Sequence, residues 1–111
     1  GEYVKVHSAL SFSIITYYEI VSGLMHRDAQ RQLATFEDFA NRNTVLPLTR
    51  EIVAASAGLY AELRKRGTPL DDMDLLIAGT ALTHDLILIT RNARHFERVP
   101  SLSLADWSQP R

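Results

Sequence analysis

The stretch that decides the fold spans residues 72–92 and reads DMDLLIAGTALTHDLILITRN. Its first part, Asp72–His84, is apolar on almost every side, which is typical of a helix buried all round. It leads into Leu86–Ile89, an unbroken apolar run that ends at Thr90 and is typical of a strand covered on both faces in a parallel sheet. A buried helix followed by a buried strand predicts an α/β layered fold with a mainly parallel sheet.

The segment before this stretch shows the same alternation of strand and helix. Phe12–Ile15 is short, apolar and partly β-branched, so we expect a strand there. Thr16, followed three residues later by Glu19, has the form of a capping box. This pattern predicts a helix that begins at that point and ends near Met25.

The rest of the chain continues the alternation, with a capping or turn residue at most element ends. The long middle helix carries an apolar stripe, which we expect to be buried, formed by Ile52, Ser56, Leu59, Tyr60 and Leu63. The remaining expected elements are the end of a helix over Gly1–Leu10, a helix capped by Asp28 and ending near Asn41, a strand over Thr44–Leu48, a helix over Arg50–Arg66 capped by Thr49 and ended by Gly67, a short helix over Asn92–Phe96 and a strand over Leu102–Leu104.

Length and composition limit the class of protein. The chain has 111 residues, 46% of them hydrophobic, so we expect residues 1–111 to form a single globular domain. The formal net charge of −1 excludes a bulk polycation that holds nucleic acid by charge alone. The absence of cysteine excludes disulfides and thiolate sites and fits a cytoplasmic location. No apolar run approaches the roughly 20 residues that span a bilayer, so no membrane association is expected.

Several polar side chains are expected to meet at one edge of the sheet. Ligands of such sheets gather beyond the carboxyl ends of the strands. Glu19 lies in the first helical turn predicted after one strand, and Arg91 and Asn92 directly follow another. Asp74 lies at the start of the helix that precedes that second strand. Because this helix packs antiparallel to the strand, it begins at the carboxyl edge of the sheet. The topology therefore predicts that Glu19, Asp74 and Asn92 share one rim.

Carboxylates gathered on one rim indicate a cation. Two unit charges about 4 Å apart repel by about 4 kcal/mol at an effective dielectric constant near 20, so they need compensation. Oxygen ligands without cysteine or a histidine pair suit Mg²⁺ or Mn²⁺. Such an ion activates water and stabilises charge on a phosphoryl group, so metal-assisted phosphodiester hydrolysis is the reaction that this chemistry best supports.

Each of these residues also has a purely structural explanation. Glu19 can be the last member of its capping box, Asp74 can be the acid at the third helical position after a cap at Asp71, and Asn92 can cap a short helix. The alternative function is then a non-catalytic α/β module that binds RNA or protein and uses its acids as helix caps. His95 has no metal-ligand spacing and is expected at a surface or helix end.

Three segments together resemble a known family. They read SIITYYEI over 13–20, DMDLLIAGTAL over 72–82 and LITRN over 88–92, and they resemble the PIN domain, in particular the VapC-type toxins of toxin–antitoxin pairs. The resemblance implies a three-layer α/β/α fold with a mainly parallel central sheet. It also implies a Mg²⁺- or Mn²⁺-dependent endoribonuclease that cuts structured RNA such as tRNA or rRNA, forms homodimers and is blocked by a cognate antitoxin.

The resemblance assigns expected roles to individual residues. Glu19 matches the second acidic position of the family, and Asp74 matches the third, which is a metal ligand. Asn92 stands at the fourth position, which the family fills with Asp or Asn. Asp72 is a candidate helper of the site, and Arg91 is a candidate contact to a phosphate of the RNA.

One part of the family pattern has no match in this sequence. The family begins with a central strand that ends in the first acidic ligand, and nothing before Phe12 resembles it. We therefore expect an N-terminally incomplete PIN-like domain in which that strand is absent. The segment can be bound as a separate peptide, lie outside the sequence given, or be replaced by a rearranged chain. We expect weak or no activity from the 111 residues, because one metal ligand is missing.

Overall fold

The computed structural model describes residues 11–106, and the chain divides into two compact units, Gly1–Pro47 and Leu48–Arg111. We describe each unit by itself. The helix end predicted over Gly1–Leu10 lies outside the described residues. The described elements are β1 (Ser11–Ser13), α1 (Ile14–His26), α2 (Gln30–Asn41), β2 (Thr44–Leu46), α3 (Arg50–Lys65), α4 (Asp72–Thr83), β3 (Leu88–Thr90), α5 (Ala93–Phe96) and β4 (Leu104–Asp106).

The first unit joins a parallel strand pair to two helices. β1 pairs with β2 in parallel, with Phe12 opposite Val45. Phe12 also contacts α2, because its ring centroid lies 6.0 Å from those of Phe36 and Phe39. Tyr17 of α1 adds a fourth ring, 5.8 Å from Phe36. This aromatic cluster fixes the two helices of the unit against the strand that precedes them.

The predicted start of α1 is wrong by three residues. Ser13, not Thr16, is the N-cap, and its hydroxyl accepts a hydrogen bond from the Thr16 backbone N–H at 3.0 Å. The predicted strand over Phe12–Ile15 therefore ends at Ser13, and the helix begins at Ile14. Both hydroxyl residues suit a cap chemically, and the earlier one satisfies the N–H of the third helical residue in the structure.

The turn between α1 and α2 shows why the predicted cap at Asp28 is wrong. Asp28 has φ 55°, and its N–H bonds to the Met25 carbonyl while the Ala29 N–H bonds to the Leu24 carbonyl. This pair of bonds is a Schellman motif that closes α1. Asp28 therefore ends the preceding helix, and the N-cap of α2 is Ala29, which makes no side-chain capping bond.

The second unit begins with two helices that pack closely on each other. Thr49 caps α3 by accepting from the Ile52 N–H at 3.1 Å, and Gly67 follows its end at φ 75°, both as predicted. Ser56 of α3 lies against Gly79 of α4, where a β-carbon would overlap its hydroxyl oxygen. The absence of a side chain at Gly79 thus permits the close approach of the helices.

The burial of α4 is confirmed, and the stripe predicted on α3 is confirmed except at one residue. Tyr60 is 41% exposed, and the Arg64 guanidinium carbon lies 4.6 Å from its ring centroid. The ring of Tyr60 therefore lies at the surface, where it makes a cation–π contact with Arg64, rather than in the core. The buried residues of the two helices are Ile52, Ser56, Leu59, Leu63, Leu75, Ile77, Ala78, Gly79, Thr80 and Ala81.

The strands of the second unit are shifted from their predicted positions. β3 and β4 pair in parallel, which confirms the expected direction, but the predicted strand over Leu86–Ile89 is wrong in its first half. Ile87 is 56% exposed, and the Leu86 N–H bonds to the Ala81 carbonyl. Leu86 therefore completes the C-terminal motif of α4 and is unavailable to the sheet. The last strand lies over Leu104–Asp106 rather than Leu102–Leu104.

Within residues 11–106, no helix is both long and apolar enough to cross a membrane.

Candidate functional site

Asp74 lies in the first turn of α4, but its side chain contacts another element. Its backbone N–H donates to Oδ1 of the N-cap Asp71 at 3.0 Å. Its own Oδ2 lies 2.9 Å from Nε2 of His95 in α5. A carboxylate oxygen only accepts, so the imidazole nitrogen donates. Helix capping thus explains the bond to the backbone N–H of Asp74, but it does not explain the carboxylate, which contacts His95.

Asn92 occupies the N-cap position of α5 without capping it. Its side chain makes no capping hydrogen bond, so the structural explanation offered for this residue is wrong. Its backbone N–H donates to Oγ1 of Thr90 at 3.0 Å. The carboxyl ends of β3 and β4 meet here, because Thr90 is the register partner of Asp106. Asn92 therefore lies at the strand edge where the sequence predicted a site.

A shallow depression of about 840 Å³ lies at this edge. Its charged side chains comprise three arginines and two acids, with one histidine between them. Arginine presents a planar set of donors that suits phosphate groups. The lining residues are Arg91, Asn92, Ala93, Arg94, His95, Glu97, Arg98 and Asp106.

Two residues of this region were not predicted as site residues. His95 carries no spacing signal, since its partner Asp74 lies 21 positions away. Asp106 ends a strand that the sequence placed two residues too early. With the correct boundary, the rule that ligands gather at the carboxyl ends of strands would have identified it.

Glu19 belongs to the first unit, whereas the other predicted site residues belong to the second. It is the sixth residue of α1, exposed and in the second helical turn, rather than in the first turn as predicted. The capping-box explanation for Glu19 is therefore wrong, because the box requires the third helical position. Asp72 is exposed in the first turn of α4.

The donor chemistry can be compared with what a divalent ion needs. Among the described residues, no group of three or more histidine, cysteine or acidic side chains forms a metal site. Mg²⁺ usually keeps several waters and takes only one or two carboxylates from the protein. The carboxylate of Asp74 fits that pattern, and the amide oxygen of Asn92 is a suitable hard donor. The described residues therefore supply oxygen donors of the kind that Mg²⁺ takes, but not a complete ligand set.

Comparison with known proteins defines the class. The family model for the PIN domain matches residues 2–102, so the chain belongs to the PIN-domain family. This confirms the resemblance found in the sequence and the α/β fold with parallel strands.

Individual relatives are more specific. The chain is 36% identical over 101 residues to the tRNA(fMet)-specific endonuclease VapC of Salmonella typhimurium, covering 90% of this chain and 76% of the relative. It is 33% identical over 99 residues to ribonuclease VapC1 of Methanocaldococcus jannaschii, covering 89% and 71%.

Solved structures agree with these relatives. DNA-bound VapBC from Salmonella typhimurium matches with a TM-score of 0.87 and 33% identity, over 96% of this chain and 82% of that one. VapBC-1 from nontypeable Haemophilus influenzae matches with a TM-score of 0.77 and 30% identity, over 91% and 76%.

Proposed function

We propose that this protein is a metal-dependent endoribonuclease, the toxin of a toxin–antitoxin pair. The observation that carries the proposal is the carboxylate of Asp74, which is directed out of its own helix turn towards α5. The helix-cap alternative does not account for this orientation. The relatives named as VapC ribonucleases support the same reaction.

In this proposal Glu19 and Asp74 hold Mg²⁺ or Mn²⁺, and Asn92 shapes the site directly or through water. When bound, such an ion would supply a Lewis acid that stabilises negative charge on a phosphoryl group and activates a water molecule. The task of the side chains is to hold and orient their oxygens. Asp72, two residues before Asp74 in the first turn of α4, is a candidate helper that adds negative charge at the same helix end.

The substrate in this proposal is RNA, with tRNA or rRNA as the expected class. Arg91 is the proposed contact to a phosphate of the backbone, and Arg94 and Arg98 line the same depression. Three cationic groups offset the two acids of that surface and favour a polyanion. A chain of net charge −1 therefore binds RNA through a local surface rather than through its total charge.

The proposal extends to partners and organisation. The similar solved structures are VapBC complexes, which supports a cognate antitoxin protein as a partner that covers the acidic site. A homodimer is the assembly that the family resemblance implies. The family model spans both compact units, which supports a single PIN-like domain over residues 1–111.

The test is cleavage of a tRNA mixture with and without Mg²⁺ or Mn²⁺. We expect cleavage that needs the ion and that Asp74→Asn removes. Asp38→Asn is the matched control, because it makes the same chemical change at an exposed position of α2. Cleavage that continues in EDTA, or that Asp74→Asn leaves intact, would contradict the proposal.

The level of activity is a separate part of the proposal. Because no residue before Phe12 matches the first acidic ligand of the family pattern, the 111 residues alone should cleave weakly. Single-turnover conditions with excess protein make weak cleavage measurable. Efficient multiple turnover by the 111 residues alone would show that the site needs no further carboxylate.

A further inference from the structure

We propose that His95 is a positioning residue that holds the carboxylate of Asp74 ready for a divalent cation. The inference rests on the proposed function and assigns a role to a residue that carries no metal-site signal in the sequence. The observation is the 2.9 Å separation between His95 Nε2 and Asp74 Oδ2. The contact joins α4 to α5 within the second unit.

Both partners are held by their own surroundings. The Asp74 side chain is 20% exposed and that of His95 is 42% exposed, so the contact is partly shielded from water. The His95 ring meets Phe96 edge to face, with centroids 5.7 Å apart, and Phe96 is 4% exposed. The backbone N–H of His95 donates to the Asn92 carbonyl at 2.9 Å. The imidazole therefore stands on a short helix that is anchored in the core.

The contact restricts Asp74 at its two ends. Its backbone N–H is bound by the N-cap Asp71, and its carboxylate is bound by His95. Rotation about the side-chain bonds is thereby opposed. Only Oδ2 is used by the imidazole, so Oδ1 is the oxygen that we assign to the ion.

The chemistry of metal sites supports this division of the carboxylate. Ligating carboxylates are usually hydrogen-bonded by an outer partner that fixes their orientation, and loss of such a partner typically weakens metal affinity or activity by about 10- to 100-fold. An imidazole N–H serves this purpose without competing for the ion. A surface pair that only occupied the carboxylate would, by contrast, compete with the ion, so its removal would not weaken metal binding.

Three variants of His95 separate these roles. His95→Phe keeps the ring against Phe96 and removes the donor. His95→Gln restores an N–H near the position of Nε2, because the glutamine side chain has similar reach. His95→Asn is polar but too short, ending near the position of Nδ1. All three are compared with wild type and with Asp74→Asn.

The experiment is a Mn²⁺ titration of the full chain, followed through the electron paramagnetic resonance signal of free Mn²⁺, with melting temperatures measured without metal. We expect His95→Phe and His95→Asn to weaken Mn²⁺ binding by about 10-fold or more. We expect His95→Gln to stay within about threefold of wild type, since it retains the donor. The metal-free melting temperatures should not follow this order.

Other results overturn the inference in distinguishable ways. If wild type binds Mn²⁺, Asp74→Asn abolishes binding and His95→Phe changes nothing, the inference fails and the proposed function stands. Tighter binding in His95→Phe would make His95 a competitor of the ion, and equal losses in all three variants would make its ring a ligand or a packing element. If wild type itself does not bind Mn²⁺, the proposed metal site fails along with the inference.

Discussion

The starts of α1 and α4 look alike in the sequence and differ in the structure. Each offers a capping side chain followed three residues later by an acid, Thr16 with Glu19 and Asp71 with Asp74. In α4 the pattern is genuine, because Asp71 caps the helix and Asp74 supplies the bonded N–H. In α1 the cap is Ser13, and Glu19 lies a turn further along.

Helix capping fails to explain the side chains of Glu19 and Asp74 for two different reasons. Glu19 is too far into its helix to complete a cap. Asp74 is at the right position for a cap, yet its carboxylate contacts His95 instead. An acid at a helix start is explained by capping only when its side chain reaches back to the N-cap. Neither residue meets this condition, so capping explains neither carboxylate, and their role at a shared site stays a prediction.

The largest expected effect is on RNA cleavage. Glu19→Gln and Asp74→Asn should each lower the cleavage rate by roughly 100-fold or more, because in the proposed site each supplies a charge that holds an ion contributing several kcal/mol. The double variant should lose little beyond the worse single variant, since both act through one ion. The measurement is the single-turnover rate in Mg²⁺.

Glu51→Gln is the matched control for the glutamate, since it lies exposed in the first turn of α3. Its cleavage rate should equal that of wild type. If the effects of Glu19→Gln and Asp74→Asn multiplied in the double variant, the two acids would act independently. The proposal that both act through one ion would then be wrong.

The next effect concerns the packing that holds α4 in place. Gly79→Ala should destabilise the fold by about 1–3 kcal/mol, because the added methyl group overlaps Ser56, whose hydroxyl bonds to the Ile52 carbonyl at 2.8 Å. Gly58→Ala makes the same change in α3 where nothing lies within 4 Å. It should stabilise by up to about 1 kcal/mol through helix propensity. Chemical denaturation of both variants measures the contrast, and equal effects would contradict the close helix contact.

A smaller effect, on the free energy of unfolding, is expected at the N-caps of α1 and α4. Ser13→Ala and Asp71→Ala should each cost about 1 kcal/mol, because each leaves a backbone N–H of the first turn without its acceptor. Glu19→Gln should cost less than Ser13→Ala, because Ser13 and not Glu19 accepts the N–H of the first turn. Urea denaturation provides the values. A loss on Glu19→Gln as large as that on Ser13→Ala would restore the capping explanation.

The smallest effect is expected at Tyr17 of the aromatic cluster. Its hydroxyl donates to the Glu37 carboxylate at 2.8 and 2.9 Å, and this hydrogen bond, together with burial and the negative charge, raises the pKa of Tyr17. A raised pKa means that the contribution is full below the ordinary value of about 10 and is lost as the pH rises through the folded-state value. Tyr17→Phe should therefore melt slightly earlier than wild type at pH 8, and the difference should vanish at strongly alkaline pH. A difference that grows with pH would contradict this bond.

Local features of the fold could be predicted from the sequence, and long-range ones could not. Thr49, Asp71 and Gly67 act on backbone groups a few residues away, so their roles follow from the sequence. Ser13 and Thr16 are both good caps, and local pattern alone does not decide between them. Likewise Leu86 serves the end of α4 through a bond to Ala81, although its apolar neighbours indicate a strand.

The candidate site shows the same limit. The strand-edge rule placed Asn92 and Arg91 at the depression beyond β3, because it uses only the order of elements. It could not identify His95, whose contact with Asp74 depends on how α5 packs against α4. The convergence of Glu19 with Asp74 also depends on tertiary structure and stays a prediction.

Crystals of the protein soaked in Mn²⁺ would test the shared ion most directly, through the anomalous difference map at the manganese edge. We predict one peak roughly 2 Å from a carboxylate oxygen of Glu19 and roughly 2 Å from Oδ1 of Asp74. A peak bound by one of these residues alone, or carboxylates too far apart to share an ion and its waters, would contradict the proposed metal site.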